Sequence, residues 1–207
     1  TTDKGIRKLE EMNIPAVLIG GLPESSLTSV HANDRSASRE AVKHFIDLGH
    51  REIACVLNAP ACYNDAQTRL AGYKDVLEEA GLPYHERLVR FADFDPESGQ
   101  VAMESLLKSE KFTAAFIASD NVAMGANRAI REAGLHIPDD ISIIGFDDTP
   151  WAAYADPPLT TVHIPAEEMA TRSCMLLLDM NHGKKPAQQT YYLETELIIR
   201  ESTKAIS

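Results

Sequence analysis

The sequence predicts an α/β protein with doubly wound parallel sheets, and three observations support this fold class. Short apolar runs alternate with amphipathic helical patterns between residues 36 and 146. The runs are continuous in apolar residues, as in strands that are buried on both faces of a sheet. Gly49, Gly81 and Gly134 follow three of the helical patterns, where glycine commonly ends a helix. Such alternation is typical of a parallel sheet covered by helices on both sides.

Each element of this central part has its own signal. Ala41 and Phe45 lie on the apolar stripe of the first helical pattern. Pro96 opens the third helix, because proline is favoured in a first turn, and Asp120 is expected to cap the fourth. We predict helices over 36–48, 64–80, 96–107 and 120–133, and strands over 53–57, 88–91, 114–118 and 141–146.

The two ends of the chain carry further elements, which could pair with each other and form a second subdomain. Their predicted helices cover 6–12 and 165–178, and their strands cover 16–19, a piece near Val30, 162–164 and 197–200. Glycine, proline and serine make the segments 20–29 and 156–158 the most hinge-like connections.

Composition limits the classes of function. The chain has 207 residues, and 31 acidic against 20 basic residues give a net charge of −11, which disfavours contact with nucleic acid. No apolar run has the length of a membrane span, and the polar first residues do not resemble a secretory signal. We therefore expect a cytoplasmic protein without membrane association. Cys55, Cys62 and Cys174 have no metal-binding spacing and are expected to be buried in a reducing compartment.

The candidate site lies at the carboxyl ends of the predicted strands, where doubly wound sheets bind their ligands. Four polar loops meet there, at 58–64, 92–95, 119–121 and 147–151, and Arg69 follows the first of them. The loops combine carboxylates, amides and aromatic rings. Rings cover the C–H surface of a sugar while polar groups bind its hydroxyls, so this composition favours a sugar or another small polar ligand.

Each candidate also has a purely structural interpretation. The sole role of Asp120 could be to cap its helix, and Asp148 or Thr149 could cap a short helix that begins at Pro150. Arg69 could be a solvated charge or an ion-pair partner, and the ring of Phe94 could serve only packing. Their common location at one edge of one sheet favours the binding interpretation.

Catalytic motifs are largely missing. The sequence contains no GxGxxG, GxxxxGK[ST], HExxH or GxSxG pattern. Asp147 and Asp148 could form an acid–base or metal pair, but neighbouring strand residues point to opposite sides, so only one faces the loops. We expect no catalytic residue, no cofactor and no metal site. An enzyme using Asp147, Asp148 or His163 is the weakest of the alternatives.

Five stretches, taken in their order and spacing, resemble the effector-binding domain of LacI/GalR-family transcriptional regulators. One contains a helix ending in Leu-Gly-His-Arg, one an Arg-x-x-Gly-aromatic motif and one a Ser-Asp pair; the fourth is the longest match, and the fifth is Pro-Leu-Thr-Thr-Val. They cover 41–54, 69–73, 116–125, 134–148 and 158–162. The resemblance extends over essentially the whole chain.

The resemblance implies a periplasmic-binding-protein-like architecture of two subdomains joined by three crossover strands, with the effector between them. Residues 1–32 and 163–190 would form an incomplete N-terminal subdomain, and residues 33–161 and 192–207 the C-terminal subdomain. In the family, a helix-turn-helix domain, a hinge and two further βα units precede the part that matches Thr1. We therefore expect that this chain is a fragment and that DNA is contacted through a domain outside it.

The resemblance also implies roles for individual residues. The positions of Arg69 and Asp147 contact polar groups of the effector, that of Phe94 stacks on it, and those of Ser119 and Asp120 line the pocket wall. One departure weakens the match to a hexose site, because Ile164 stands where the family has a glutamine. A homodimer is implied, with a surface that includes Met124, Arg128 and the loop 151–154.

The resemblance implies that effector binding reorients the subdomains and so controls operator binding. The main alternative is a periplasmic sugar-binding protein of a transporter, which shares the two-lobed architecture and would be a monomer made with a signal peptide.

Overall fold

A computed structural model describes residues 3–12, 14–20 and 25–206. Residues 1, 2, 13 and 207, and the part of the predicted connection at 20–29 that covers 21–24, lie outside the described residues. The chain forms two compact units. The smaller consists of Thr1–Asn33 and Pro165–Thr195, and the larger of Asp34–Ile164 and Glu196–Ser207.

The described elements alternate along most of the chain. In order they are α1 (Asp3–Glu11), β1 (Val17–Ile19), β2 (Thr28–Ala32), α2 (Asp34–Asp47), β3 (Ile53–Leu57), α3 (Asn64–Glu79), β4 (Val89–Phe91), α4 (Pro96–Ser109), β5 (Ala114–Ile117), α5 (Asp120–Glu132), β6 (Ser142–Asp147), β7 (Thr160–His163), α6 (Ala166–Asn181), β8 (Thr190–Leu193) and β9 (Glu196–Ile198). Short 3-10 helices at Glu86–Leu88 and Pro150–Tyr154 interrupt two of the connections.

The larger unit contains a six-stranded sheet in the order β4-β3-β5-β6-β7-β9. The first five strands are parallel, and β9 pairs antiparallel with β7. Side chains on one face of the sheet pack with α2 and α3, around Phe45, Tyr73 and Phe116. Those on the other face pack with α4 and α5, around Met103 and Ile130. This arrangement confirms the prediction of a doubly wound α/β fold.

The smaller unit contains a three-stranded parallel sheet in the order β1-β2-β8. Helix α6 packs against β1 and β2. Strand β8 was not among the sequence predictions. It is short and alternates between buried and more exposed residues, so it lacks the continuous apolar run that marked the strands of the larger sheet.

Several local predictions were wrong. Ser119 rather than Asp120 precedes the first turn of α5, and Asp120 lies within that turn with its carboxylate directed to other elements. Thr149 occupies the position before the Pro150–Tyr154 helix, but its side chain makes no capping bond. Of the three cysteines, Cys55 is buried whereas Cys62 and Cys174 are exposed. Within the described ranges, no helix combines the length and apolarity needed to cross a membrane.

Candidate functional site

Polar residues follow the carboxyl ends of the central strands of the larger sheet. Asn58 follows β3, Ser119 follows β5, and Asp147 is the last residue of β6. Strands β3, β5 and β6 are adjacent and parallel, so their carboxyl ends lie at the same edge. Helices α3 and α5 begin at this edge because they follow β3 and β5 directly along the chain.

Arg69, in the second turn of α3, is held at this edge by three contacts. Its Nη1 donates to the carbonyl oxygen of Ala118 at 2.6 Å, and its Nη2 donates to the Asp34 carboxylate at 3.3 Å. Its guanidinium lies over the ring of Phe146, 3.9 Å from the centroid. The residue is only 8% exposed. Within the described part of the chain, its buried Nε has no hydrogen-bond partner.

The Asp147 carboxyl group shares this environment. Burial raises its pKa to about 6 from the ordinary value of 3.8, and the Asp120 and Asp34 carboxylates act in the same direction. The positive charge of Arg69 and a hydrogen bond from the Ser119 hydroxyl lower it. Arg69, Asp34, Ser119, Asp120 and Asp147 therefore form one electrostatically linked group, named here the Arg69 cluster.

The buried carboxylate of Asp120 holds neighbouring elements in place by hydrogen bonds. It is 1% exposed, and its carboxylate accepts hydrogen bonds from the backbone N–H and the hydroxyl of Thr149 and from the hydroxyl of Thr161. Burial raises its pKa. Gly145 leaves room for this carboxylate, because a Cβ at that position would overlap it. Asp120 thus connects the loop that follows β6 with strand β7.

Asp147 and Asp148 both adopt positive φ angles, 108° and 52°, which are unfavourable for residues with a side chain. The Asp148 carboxylate is held by Arg200 Nη2 at 2.7 Å and lies 3.0 Å from His163 Nδ1. Arg200 in turn donates to the carbonyl oxygen of Leu159. These bonds hold the backbone turn that separates the two aspartates, so that Asp147 joins the Arg69 cluster and Asp148 does not.

Phe94 lies in the neighbouring loop between β4 and α4. It is 45% exposed, has a φ of 64°, and meets the Tyr63 ring edge to face at a centroid distance of 5.1 Å. Its backbone N–H donates to the carbonyl oxygen of Asn58 at 2.7 Å. The strained backbone and this bond present an aromatic ring to solvent beside the carboxyl end of β3.

The structure brings four of the five predicted site residues together, since Arg69, Ser119 and Asp120 all influence the pKa of the Asp147 carboxyl group. Phe94 lies in the adjoining loop. Ile164, which stands where a glutamine was expected, packs against the apolar core beside α2 and α3.

Two further polar residues at this edge were missed by sequence reasoning. Asp34 is an ordinary first-turn acid in the sequence, and only the fold brings it to Arg69. Asn58 is 7% exposed, and its Oδ1 has no partner among the described residues. The polar loop at 58–64 was recognised, but nothing in the sequence distinguishes Asn58 within it. In the described part of the chain, no cluster of three or more histidine, cysteine, aspartate or glutamate side chains could hold a metal ion.

A groove of about 510 Å³ lies along α5, against the Pro150–Tyr154 helix. Met124, Asn127, Arg128 and Trp151 are among the residues that line it. Trp151 is 64% exposed, and Met124 and Tyr154 are also exposed. This is the surface that the resemblance associates with a dimer.

Comparison with known proteins agrees with this fold. Residues 42–203 match the family described as periplasmic binding protein-like domain. The HTH-type transcriptional regulator CelR of Thermobifida fusca is 36% identical over 198 residues, which are 94% of this chain and 58% of that protein. This chain therefore spans less than two thirds of the length of that relative.

Solved structures of transcriptional regulators are also similar to this chain. A structure of the transcriptional regulator CelR–cellobiose complex superposes with a TM-score of 0.88 at 35% identity, covering 94% of this chain and 60% of that one. A LacI family transcriptional regulator from Enterococcus faecium with bound ribose has a TM-score of 0.86 at 27% identity, covering 100% and 77%. The chain belongs to the periplasmic binding protein-like domains of the LacI family of transcriptional regulators.

Proposed function

We propose that this chain is the effector-sensing part of a LacI-type transcriptional regulator and that its effector is a sugar or another small polar molecule. The observation that carries this proposal is the buried Arg69 guanidinium near the Asp147 carboxyl group, whose Nε has no partner within the described ranges of the chain. Unpaired buried donors are costly, so such a group is expected to meet a ligand.

The roles of the site residues follow from their chemistry. Arg69 donates to a ligand oxygen through Nε, and Asp147 accepts from ligand hydroxyl groups. Ser119 and Asp120 hold these two groups in place, and the exposed ring of Phe94 stacks on the C–H face of the ligand. The relatives support a sugar, since one is described with cellobiose and another with ribose.

The two units would correspond to the two subdomains of an effector-binding domain. The larger unit would be the C-terminal subdomain and the smaller a part of the N-terminal one. The chain passes from one unit to the other three times, at residues 33–34, 164–165 and 195–196. Ligand binding would control an operator-binding helix-turn-helix domain through these connections, in a cytoplasmic protein without catalytic activity.

The active form would be a homodimer. A second copy would cover the groove on α5 and the exposed apolar side chains of Met124, Trp151 and Tyr154. A two-fold symmetric protein suits a two-fold symmetric operator, which supports this assembly.

A thermal-shift screen of the chain against sugars, beginning with cellobiose and D-ribose, tests the ligand site. A true ligand raises the melting temperature with the logarithm of its concentration. The rise should disappear in Arg69→Ala and in Asp147→Ala and persist in Arg87→Ala and Asp139→Ala, which change exposed ion pairs. A rise that survives in both site variants would mean that the ligand binds elsewhere.

A further inference from the structure

The charged groups and hydrogen-bond donors of the Arg69 cluster indicate whether the effector is neutral or charged. We infer that this site takes an uncharged polyhydroxy compound and rejects anions such as sugar phosphates and uronates. The inference rests on the proposed function, because it concerns the ligand of that same site. Three independent features of the larger unit carry it.

The first feature is the balance of charge. One guanidinium, that of Arg69, shares the cluster with the carboxyl groups of Asp34, Asp120 and Asp147. An anionic ligand would add a further negative charge to a group that already has an excess of them, in partly buried surroundings where repulsion is weakly screened. The net charge of −11 on the whole chain acts in the same direction at longer range.

The second feature is the set of hydrogen bonds that the Arg69 guanidinium already makes. A phosphate or carboxylate is bound most strongly by two parallel N–H groups of one guanidinium. In Arg69, one N–H of Nη1 donates to the Ala118 carbonyl oxygen and one N–H of Nη2 donates to Asp34, and Nε has no partner among the described residues. An anion that paired with both Nε and Nη2 would therefore lie next to the Asp34 carboxylate, whereas a hydroxyl or ring oxygen of a neutral sugar would not be repelled there. Asn58 Oδ1, which is buried at the same sheet edge and has no partner among the described residues, adds an acceptor that suits a hydroxyl and repels an anion.

The third feature concerns the helix N-termini, which bind phosphate in many doubly wound proteins. The four helices that begin at this edge each carry an acidic residue in the first turn, namely Asp34 in α2, Asp65 in α3, Glu97 in α4 and Asp120 in α5. Each of these carboxylates places negative charge near the positive end of a helix dipole. The four helix N-termini at this edge therefore attract an anion less than N-termini without acidic residues would.

Matched pairs of ligands test the inference by titration calorimetry on the whole chain. D-ribose is compared with D-ribose 5-phosphate, and D-glucose with D-glucuronate and D-glucose 6-phosphate, together with cellobiose. We expect the neutral member of any pair that binds to have a dissociation constant at least tenfold lower than the anionic member. An anion that binds as tightly as its neutral counterpart, and loses affinity in Arg69→Ala, would overturn the inference.

Inorganic phosphate provides a second arm that does not depend on the identity of the sugar. The wild-type chain should bind it at least tenfold more weakly than the Asp34→Asn/Asp147→Asn double variant, in which Nη2 is released and two carboxylates are neutralised. Asp147→Asn alone serves if the double variant does not fold, with a smaller gain, and Asp139→Asn is the control.

The sugar titrations and the phosphate titration test two claims separately, the proposed sugar site and the exclusion of anions. If no sugar binds, neutral or anionic, the proposed sugar site is wrong, and the phosphate arm alone decides the inference. Phosphate bound by the wild-type chain and lost in Arg69→Ala would overturn it. Phosphate bound equally weakly by wild type and double variant would overturn it as well, because the carboxylates would then not be the reason for exclusion.

Discussion

Arg69 is a buried side chain that makes structural contacts and is also the proposed ligand-binding group. Its ion pair with Asp34 agrees with the structural interpretation that the sequence allowed, whereas its burial and its contact with Phe146 could not be anticipated from a mixed helix face. Burial of a positively charged guanidinium requires compensating contacts. Two of its nitrogens and one of its faces provide them, and Nε, which has no partner among the described residues, is the donor that we propose for the ligand.

Asp147→Asn should raise stability at pH 7.5 and flatten its pH dependence. The folded-state pKa of about 6 lies above the ordinary 3.8, so the contribution of Asp147 to stability is fully present below about pH 4 and is lost as pH rises through 6. We expect the variant to gain about 1 to 2 kcal/mol at pH 7.5, measured by urea unfolding between pH 4.5 and 8.

The comparison with wild type removes the contribution of titrating groups outside the Arg69 cluster. Burial lowers the pKa of His50, and this contribution cancels in the difference between the two proteins. Asp120 is electrostatically linked to Asp147, so the difference includes the change that the substitution causes in its titration. Asp139→Asn, on an exposed ion pair, should follow the wild-type profile between pH 5 and 8. A profile of Asp147→Asn parallel to that of wild type would show that Asp147 titrates normally.

Asp120→Ala should destabilise the chain strongly. The substitution removes the acceptor of three hydrogen bonds, from the Thr149 backbone and hydroxyl and from the Thr161 hydroxyl, and leaves those donors buried. We expect a loss of about 3 kcal/mol in urea unfolding. Asp139→Ala should cost less than about 0.5 kcal/mol. Equal losses in the two variants would contradict the anchoring role of Asp120.

Helices α4 and α5 of the larger unit pack closely against each other. Gly99 and Gly125 make this packing possible, because a Cβ at either position would overlap backbone atoms of the facing helix, around Val122 and Pro96. Gly125→Ala should therefore cost about 3 kcal/mol. Gly134→Ala is the matched control, since its Cβ would enter open space and only its φ of 76° is unfavourable, for about 1 kcal/mol. Thermal and urea unfolding of both variants measure the difference, and a reversed order would contradict this packing.

The elements of the larger unit could be predicted because their signals are local. Apolar runs identified β3, β5 and β6, and helical periodicity with a terminal glycine identified α2, α3 and α5. Strand β8 was missed because it pairs on one side only and carries alternating residues. The prediction that Asp120 caps α5 was wrong because its carboxylate accepts hydrogen bonds from Thr149 and Thr161 instead.

At the scale of the whole molecule, the topology rule located the candidate site, since the loops after parallel strands converge at one edge. It could not identify Asp34, whose place beside Arg69 depends on the packing of α2 against α3. Nor could it predict the left-handed backbone of Asp147 and Asp148, which Arg200 holds in place from the other end of the sequence.

The proposed dimer makes a prediction about oligomeric state. Trp151→Glu combined with Met124→Glu places two charges in the exposed groove on α5. Sedimentation velocity should show a dimer for the wild-type chain and a shift of at least tenfold in its dissociation constant for the variant. Val101→Glu, at an exposed residue on α4 outside the lining of this groove, is the control. A wild-type chain that is monomeric at all concentrations, or a variant that still dimerises, would contradict this surface.

The central claim is that the Arg69 cluster binds the effector. Calorimetric titration of the sugar that gives the largest thermal shift tests it most directly, with wild type, Arg69→Ala and Arg87→Ala compared side by side. We predict one site per chain, a loss of affinity of at least about 100-fold in Arg69→Ala, and no change in Arg87→Ala. An unchanged affinity in folded Arg69→Ala would contradict the account and place the sugar site elsewhere.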